Sequence, residues 1–222
     1  MMVSVSFIIP FYNGDATILR CLQSIYSIGM KEDEYEIIIV DDCSPIPAEL
    51  VLADISHLHS NLKIIRHDVN KRQGGAKNTG IKVSSGKYLV FADQDDYIIP
   101  NNLFSAIKKT LISECDMCAC RFFIVSEDGT MKEVGANLSE ETTTTGKCYC
   151  ESYFDAGKCL APWSYVYRRD FLLSLSHPME ENVLMEDSDW VAWHLFFAKK
   201  VLYLPSGDLV AEQGLSELGL LA

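Results

Sequence analysis

The sequence is poor in positive charge: 19 lysines and arginines stand against 31 aspartates and glutamates, a formal net charge of −12 over 222 residues. A chain this acidic repels polyanions, which argues against a general nucleic-acid binder and against charge-driven adhesion to an anionic membrane. It also has no run reaching the roughly 18 consecutive apolar residues of a membrane span. The residues up to Phe11 carry no basic stretch ahead of the apolar one and meet Pro10. They read as a first strand rather than an export leader, and the chain reads as cytoplasmic. The five histidines show no H-x-x-x-H or H-E-x-x-H spacing, so a histidine zinc site or a Ser/His/Asp triad has no support in the sequence. Internal repeats and a clear linker are missing too.

What is present is a globular composition, 48% apolar and 23% charged, enough for one α/β domain with a sizeable core. Of the eight cysteines, Cys115, Cys118 and Cys120 lie close enough to raise zinc, and Cys148, Cys150 and Cys159 would have to complete the set. The second group lacks paired C-x-x-C spacing, and Cys118 and Cys120 fall inside an apolar run. They are read as free thiols serving as small core residues.

The first hundred residues alternate β-rich runs with helical patterns, the signature of βαβ units on a mainly parallel sheet. Strands are expected at 3–9, 36–40, 62–66 and 88–92, with helices at 16–27, 48–58 and 75–83. Beyond Pro100 the pattern loosens: helix at 102–113, strand at 117–125, a turn at 127–130, a loop or extended edge at 140–146, and helices at 163–175 and 187–199. In an open α/β sheet, ligands bind beyond the carboxyl ends of the strands. Three strands here end in polar clusters, Tyr12-Asn13-Gly14, Asp41-Asp42 and Asp93-Gln94-Asp95-Asp96, so the chemistry is expected on that edge.

Three aspartates within four residues repel one another, and a divalent cation with a taste for hard oxygen, Mg²⁺ or Mn²⁺, removes that penalty. The bland alternative is an acidic turn capping the next helix. Asp41-Asp42 reads either as an acceptor for a base N–H or ribose hydroxyl or as a solvated turn. The segment Gln73-Gly74-Gly75-Ala76-Lys77-Asn78-Thr79-Gly80 invites a phosphate-loop reading, but Ile81 stands where a Walker lysine belongs and G-x-G-x-x-G is absent. It is either a nucleotide-flanking stretch with Lys77 supplying charge or a glycine-started helix. Asp187, in Met185-Glu186-Asp187-Ser188-Asp189-Trp190, is either a general base or part of an acidic first helical turn.

Together these residues resemble the family 2 glycosyltransferases, which have the GT-A fold. The likeness runs through Ile8-Ile9-Pro10-Phe11-Tyr12-Asn13, Ile38-Ile39-Val40-Asp41-Asp42-Cys43-Ser44, the Gly74–Ile81 segment, the D-x-D strand end Asp93-Gln94-Asp95, the tryptophan segment Trp163-Ser164-Tyr165-Val166-Tyr167-Arg168-Arg169, and Glu186-Asp187. By that resemblance residues 1–100 form the nucleotide-sugar-binding half and 101–205 the acceptor-side half of one domain, with 206–222 a weakly structured or shortened tail. Pro10, Tyr12 and Asn13 would line the nucleotide pocket, Asp42 would meet the uracil, and Gly75, Lys77 and Asn78 would lie near the nucleotide. Asp93 would contact the ribose or metal shell, Asp95 would hold Mn²⁺ or Mg²⁺, and Asp187 would be the base of an inverting transfer. Trp163 and Glu186 would border the donor and acceptor pocket. The implied donor is a UDP-sugar and the implied acceptor a glycan or lipid-linked saccharide, which suggests work at the inner membrane face by peripheral association. Two departures from the family pattern stand out: Tyr165 where relatives often carry lysine, and no basic residue after Lys200. The rivals are a non-catalytic nucleotide-sugar-binding subunit and a metal-dependent sugar nucleotidyltransferase. The latter would need a basic loop after the first strand, and Tyr12-Asn13-Gly14-Asp15 has none.

Overall fold

Runs of β-branched and aromatic residues too apolar to face water on either side become the centre of the sheet. The computed structural model describes residues 3–125, 130–135, 140–154, 160–184 and 186–213. The elements are β1 (Val5–Phe11), α1 (Ile18–Tyr26), β2 (Tyr35–Asp41), α2 (Ala48–Val51), α3 (Ala53–Ser56), β3 (Leu62–Arg66), α4 (Arg72–Val83), β4 (Tyr88–Phe91), α5 (Pro100–Ser113), β5 (Met117–Val125), β6 (Met131–Val134), β7 (Thr142–Thr144), α6 (Gly146–Phe154), a 3-10 turn at Pro162–Ser164, β8 (Tyr165–Arg168), α7 (Arg169–Leu175), α8 (Asp187–Phe197) and β9 (Val201–Gln213). The sheet order is β3-β2-β1-β4-β8-β5-β9-β7, with β6 paired to β5. Every residue of β1, β2 and β4 is buried, as expected of strands covered by helices on both faces.

The parallel block β3-β2-β1-β4 is the half the sequence predicts. In the other half β8 runs antiparallel to both β4 and β5, while β5 and β9 are parallel, so the complete sheet is mixed. The helix expected over 163–175 is a correction. Its first part is the 3-10 turn and β8, and only Arg169–Leu175 is helical. Val166 pairs with Val90 and Cys118 on its two sides, and filling the gap between β4 and β5 outweighs local helical spacing. The helix expected over 48–58 breaks at Leu52 into α2 and α3. The weak tail expected from 206 instead continues as β9 to Gln213, paired with β5. The turn residues 127–129 and Cys159 lie outside the described residues.

Cys115, Cys118 and Cys120 are buried free thiols, as expected, with the sulfurs of Cys118 and Cys120 3.9 Å apart. Among the described residues no helix is long and apolar enough to cross a membrane.

Candidate active site at the carboxyl edge of the sheet

The edge opens at Pro10. The Ile8 carbonyl accepts from the Ala92 N–H at 3.1 Å, but two residues further on Pro10 has no N–H with which to continue that ladder, and the β1–β4 register ends at Ile8. Pro10 itself is buried at the point where the two strands part. Past the end of β1 the chain turns through Asn13, whose φ of 52° is left-handed. The turn is held from two sides. The Asn13 N–H donates to Ser44 Oγ at 2.7 Å, and Gln94 clamps the Tyr12 backbone, accepting from its N–H and donating to its carbonyl, both at 2.9 Å. With its backbone pinned, Tyr12 leaves its ring half exposed at 50%. Gln94 is a structural tie between the ends of β1 and β4, a role that its place between two aspartates in the sequence does not reveal.

The two aspartates ending β2 divide their work. Asp41 is consumed by the fold, accepting from the Ser44 and Ala48 N–H groups at 2.8 and 2.9 Å and from Arg66. Asp42 uses only one oxygen: Oδ1 pairs with His67 Nδ1 at 2.7 Å and accepts from the Lys71 N–H at 2.8 Å, while Oδ2 is buried without a partner. A buried carboxylate oxygen with no donor is costly, and a ligand N–H would relieve it.

The second group of carboxylates is assembled by a loop pressed onto the start of α4. Both ends of the Asn78 amide bind the Met179 backbone, at 2.8 and 2.9 Å, and the Asn182 N–H donates to the Lys71 carbonyl at 3.1 Å. Gly74 permits this approach, since a Cβ there would sit 2.3 Å from the Glu180 carbonyl oxygen. The result brings Glu186 within 3.9 Å of the buried Lys77 ammonium, which also donates to Gln73 at 3.2 Å. Asp187 follows as the first residue of α8.

Burial pushes the Asp93 carboxyl up, the Lys77 charge opposes it, and the neighbouring Asp95 and Asp187 charges add to the rise. Burial likewise raises Glu186, with Lys77 again opposing and Asp187 and Asp93 adding. Asp93, Asp95, Glu186 and Asp187 thus share one electrostatic neighbourhood around a single lysine. Asp93 Oδ1 is buried without a hydrogen-bond partner, and Asp95 is exposed on a loop whose backbone carbonyl accepts from Arg20. Hard, under-satisfied carboxylate oxygens suit Mg²⁺ or Mn²⁺. Among the described residues no three His, Cys, Asp or Glu side chains form a ready cage.

Three expected site residues have other duties. Asn78 is engaged with Met179 and positions the loop that carries Glu186. Gly75 is buried under Lys71, whose Cβ a glycine Cβ would meet at 2.4 Å, so it serves close packing. Trp163, 6% exposed, packs edge-on against Phe122 at 4.4 Å and belongs to the core. A cavity of ≈ 390 Å³ between α4, α7 and α8, lined among others by Asn78, Arg169, Trp190 and His194, lies behind this edge and holds none of its carboxylates.

Known proteins resemble this chain in sequence and in fold. Residues 6–163 match the family model for glycosyl transferase family 2. A putative glycosyltransferase, EpsH of Bacillus subtilis, is 27% identical over 205 residues, covering 90% of this chain and 58% of its own. An Escherichia coli glucosyltransferase, WfgD, named for transfer from UDP-Glc to an α-D-GlcNAc-diphosphoundecaprenol, is 26% identical over 187 residues, covering 81% of this chain and 71% of its own. The crystal structure of Staphylococcus aureus TarS 1-349 superposes with a TM-score of 0.80 at 22% identity, over 95% of this chain and 60% of that one, and it has also been solved with UDP-GlcNAc. The chain therefore spans about 60% of the length of EpsH and of the TarS 1-349 chain. With the matched segment running from β1 through Asp93 and Asp95 to the 3-10 turn, the chain belongs to glycosyl transferase family 2.

Proposed function

We propose that this chain carries the donor site and general base of an inverting glycosyltransferase, which moves a sugar from a UDP-sugar to a hydroxyl of a glycan or lipid-linked saccharide. The observation that supports this reading best is the orphaned Oδ2 of Asp42, two strands along the same edge from the carboxylates of Asp93, Asp95 and Asp187. An acceptor oxygen for a base N–H thus lies two strand spacings, roughly 10 Å, from the end of β4 and its carboxylates.

In this reading the base stacks on the exposed Tyr12 ring and donates its ring N–H to Asp42. The ribose and diphosphate run across the split between β1 and β4 toward Asp93. Asp95, with Asp93, would hold a divalent cation, which when bound neutralises charge on the departing diphosphate. Asp187 accepts the proton of the acceptor hydroxyl as that oxygen forms its bond to the anomeric carbon. The bond from that carbon to the diphosphate oxygen breaks on the opposite face, and its electron pair leaves with UDP. Lys77 offsets part of the carboxylate charge, so that Glu186 and Asp187 can sit this close to an anionic donor.

The test is Asp187→Asn in a transfer assay, with UDP affinity measured in parallel. Loss of a positioned base lowers transfer by roughly 10²–10⁴-fold with UDP affinity unchanged. Transfer at the wild-type rate would remove Asp187 from the chemistry. Wild-type protein that binds UDP but transfers from no donor would favour a binding subunit.

A further inference from the structure

The unpaired oxygen of Asp42 is half of an arrangement whose other half reaches back into the fold. His67, directly after β3, has a side chain only 10% exposed, and its two ring nitrogens have different partners: Nδ1 faces Asp42 Oδ1 at 2.7 Å and Nε2 faces Thr79 Oγ1 at 2.8 Å. A carboxylate only accepts, so Nδ1 carries the proton. In the neutral ring Nε2 then accepts from the Thr79 hydroxyl. The His67 backbone N–H is also fixed, donating to the Asp41 carbonyl at 2.8 Å. The main chain of Asp42 is held as firmly: its N–H donates to the Phe11 carbonyl at 2.8 Å and its carbonyl accepts from Asn70 at 2.9 Å. With Lys71 N–H as the second donor to Oδ1, the carboxylate cannot turn without breaking two hydrogen bonds.

We propose that His67, oriented by Thr79, is a positioning residue for nucleobase selection. It locks the rotation of the Asp42 carboxylate so that Oδ2 alone faces the base. This rests on the donor-site reading above and adds the device that gives it selectivity. A fixed acceptor favours a base presenting a ring N–H between two carbonyls, as uracil does. Cytosine offers a ring lone pair at that position, which would oppose a carboxylate lone pair. A carboxylate free to swing could take the exocyclic amine of cytosine instead, and a locked one cannot. The lock also removes rotational freedom before the ligand arrives, which lowers the entropic cost of binding.

The experiment is calorimetric titration of UDP and of CDP, each with Mn²⁺, into wild type, His67→Leu, His67→Asn, His67→Gln and Thr79→Val, with melting curves recorded alongside. The asparagine amide nitrogen stands where Nδ1 stood and the glutamine one where Nε2 stood, so only His67→Asn keeps a donor for Asp42. Wild type binds UDP more tightly than CDP. His67→Leu and His67→Gln weaken UDP by roughly tenfold, the scale of one lost charge-assisted hydrogen bond, and leave CDP within about twofold. His67→Asn keeps most of the preference, and Thr79→Val falls between. A purely structural role would move both ligands together and would not separate asparagine from glutamine. The proposal is overturned if folded His67→Leu keeps the UDP-to-CDP ratio, or, should that variant not fold, if His67→Asn and His67→Gln behave alike. Failure of the underlying reading looks different: wild type would bind UDP no better than CDP, or Asp42→Asn would leave the ratio untouched.

Discussion

Two buried charges show how this protein handles ionisation away from and within its site. Glu36, on β2 and 3% exposed, receives Ser6 Oγ at 2.6 Å, the Ser85 N–H at 2.6 Å and Oγ at 2.8 Å, and Lys63 at 2.5 Å. Burial alone would raise its carboxyl, but the donors outweigh it and bring the pKa from 4.5 to about 2. A folded-state pKa below the unfolded one stabilises the fold fully above about pH 4.5, and that stability drains away as pH falls toward 2. Urea denaturation of wild type is therefore expected to lose on the order of 3 kcal/mol across that window, and Glu36→Gln to show a flatter slope there. Lys77 has the opposite surroundings, as a buried ammonium facing Glu186 and near Asp93, both of whose carboxyls are raised. Replacing it in Lys77→Met leaves those carboxylates without their cation, a loss of about 3–5 kcal/mol by analogy with broken buried pairs. Because the two carboxyls protonate more readily than ordinary ones, the loss measured at pH 5 should be smaller than at pH 7. An equal loss at both values would mean that Lys77 acts by packing its stem alone.

At the level of elements, what the sequence disclosed and what it hid divide by range. The β1-α1-β2 and β3-α4-β4 units were readable because each strand and its helix are contiguous, and their apolar periods need no distant partner. The segment from Trp163 to Leu175 was not readable in that way, since Val166 is a strand residue only because Val90 and Cys118 flank it from far along the chain. Its Tyr-Val-Tyr run was the available β signal, overridden by helical spacing. The site divides similarly: Asp42, Asp93, Asp95 and Asp187 announce themselves as carboxylates at strand and helix ends, whereas His67 and Gln94 act through partners that only the fold brings near. The loop clamped on α4 is an element whose geometry is testable. In Gly74→Ala the new Cβ would lie 2.3 Å from the Glu180 carbonyl and 2.9 Å from Glu186 Cγ, and backbone, unlike a side-chain tip, cannot step aside cheaply. The loop must lift, carrying Glu186 and Asp187 with it, at about 1–3 kcal/mol of stability. Transfer should fall further than UDP affinity, because the proposed nucleotide pocket at Tyr12 and Asp42 is held chiefly by Gln94 and the Phe11 carbonyl rather than by this loop. Parallel losses in both would locate the damage in α4 itself.

Taken whole, the molecule is an acid, and the proposed donor is another. The chain carries a net charge of −12, and the edge that would receive a diphosphate is lined by Asp93, Asp95, Glu186 and Asp187 around one buried lysine. Coulomb repulsion between such an edge and a doubly charged ligand works against binding at every separation shorter than the screening length, roughly 8–10 Å at physiological salt. In the proposed reading the nucleobase meets Asp42 two strands away from that charge, so the cation is expected to be taken up together with the ligand. This makes thermal stability a direct reporter. A ligand at about 100 times its dissociation constant adds about 2.7 kcal/mol to the folded state, and a chain of this size shifts its melting temperature by roughly 2–4 °C per kcal/mol. UDP with Mn²⁺ is therefore expected to raise Tm by about 5–10 °C, UDP with a chelator to leave it unmoved, and uridine, which has no phosphates, to give a smaller rise that ignores the chelator. Asp95→Asn should abolish the cation-dependent part and keep the uridine part, because in the proposed reading the two ends of the donor meet different strands. A full UDP shift in the presence of chelator would show instead that Lys77 and the backbone dipoles of the edge suffice to hold a diphosphate, and the acidic cluster would then need another purpose.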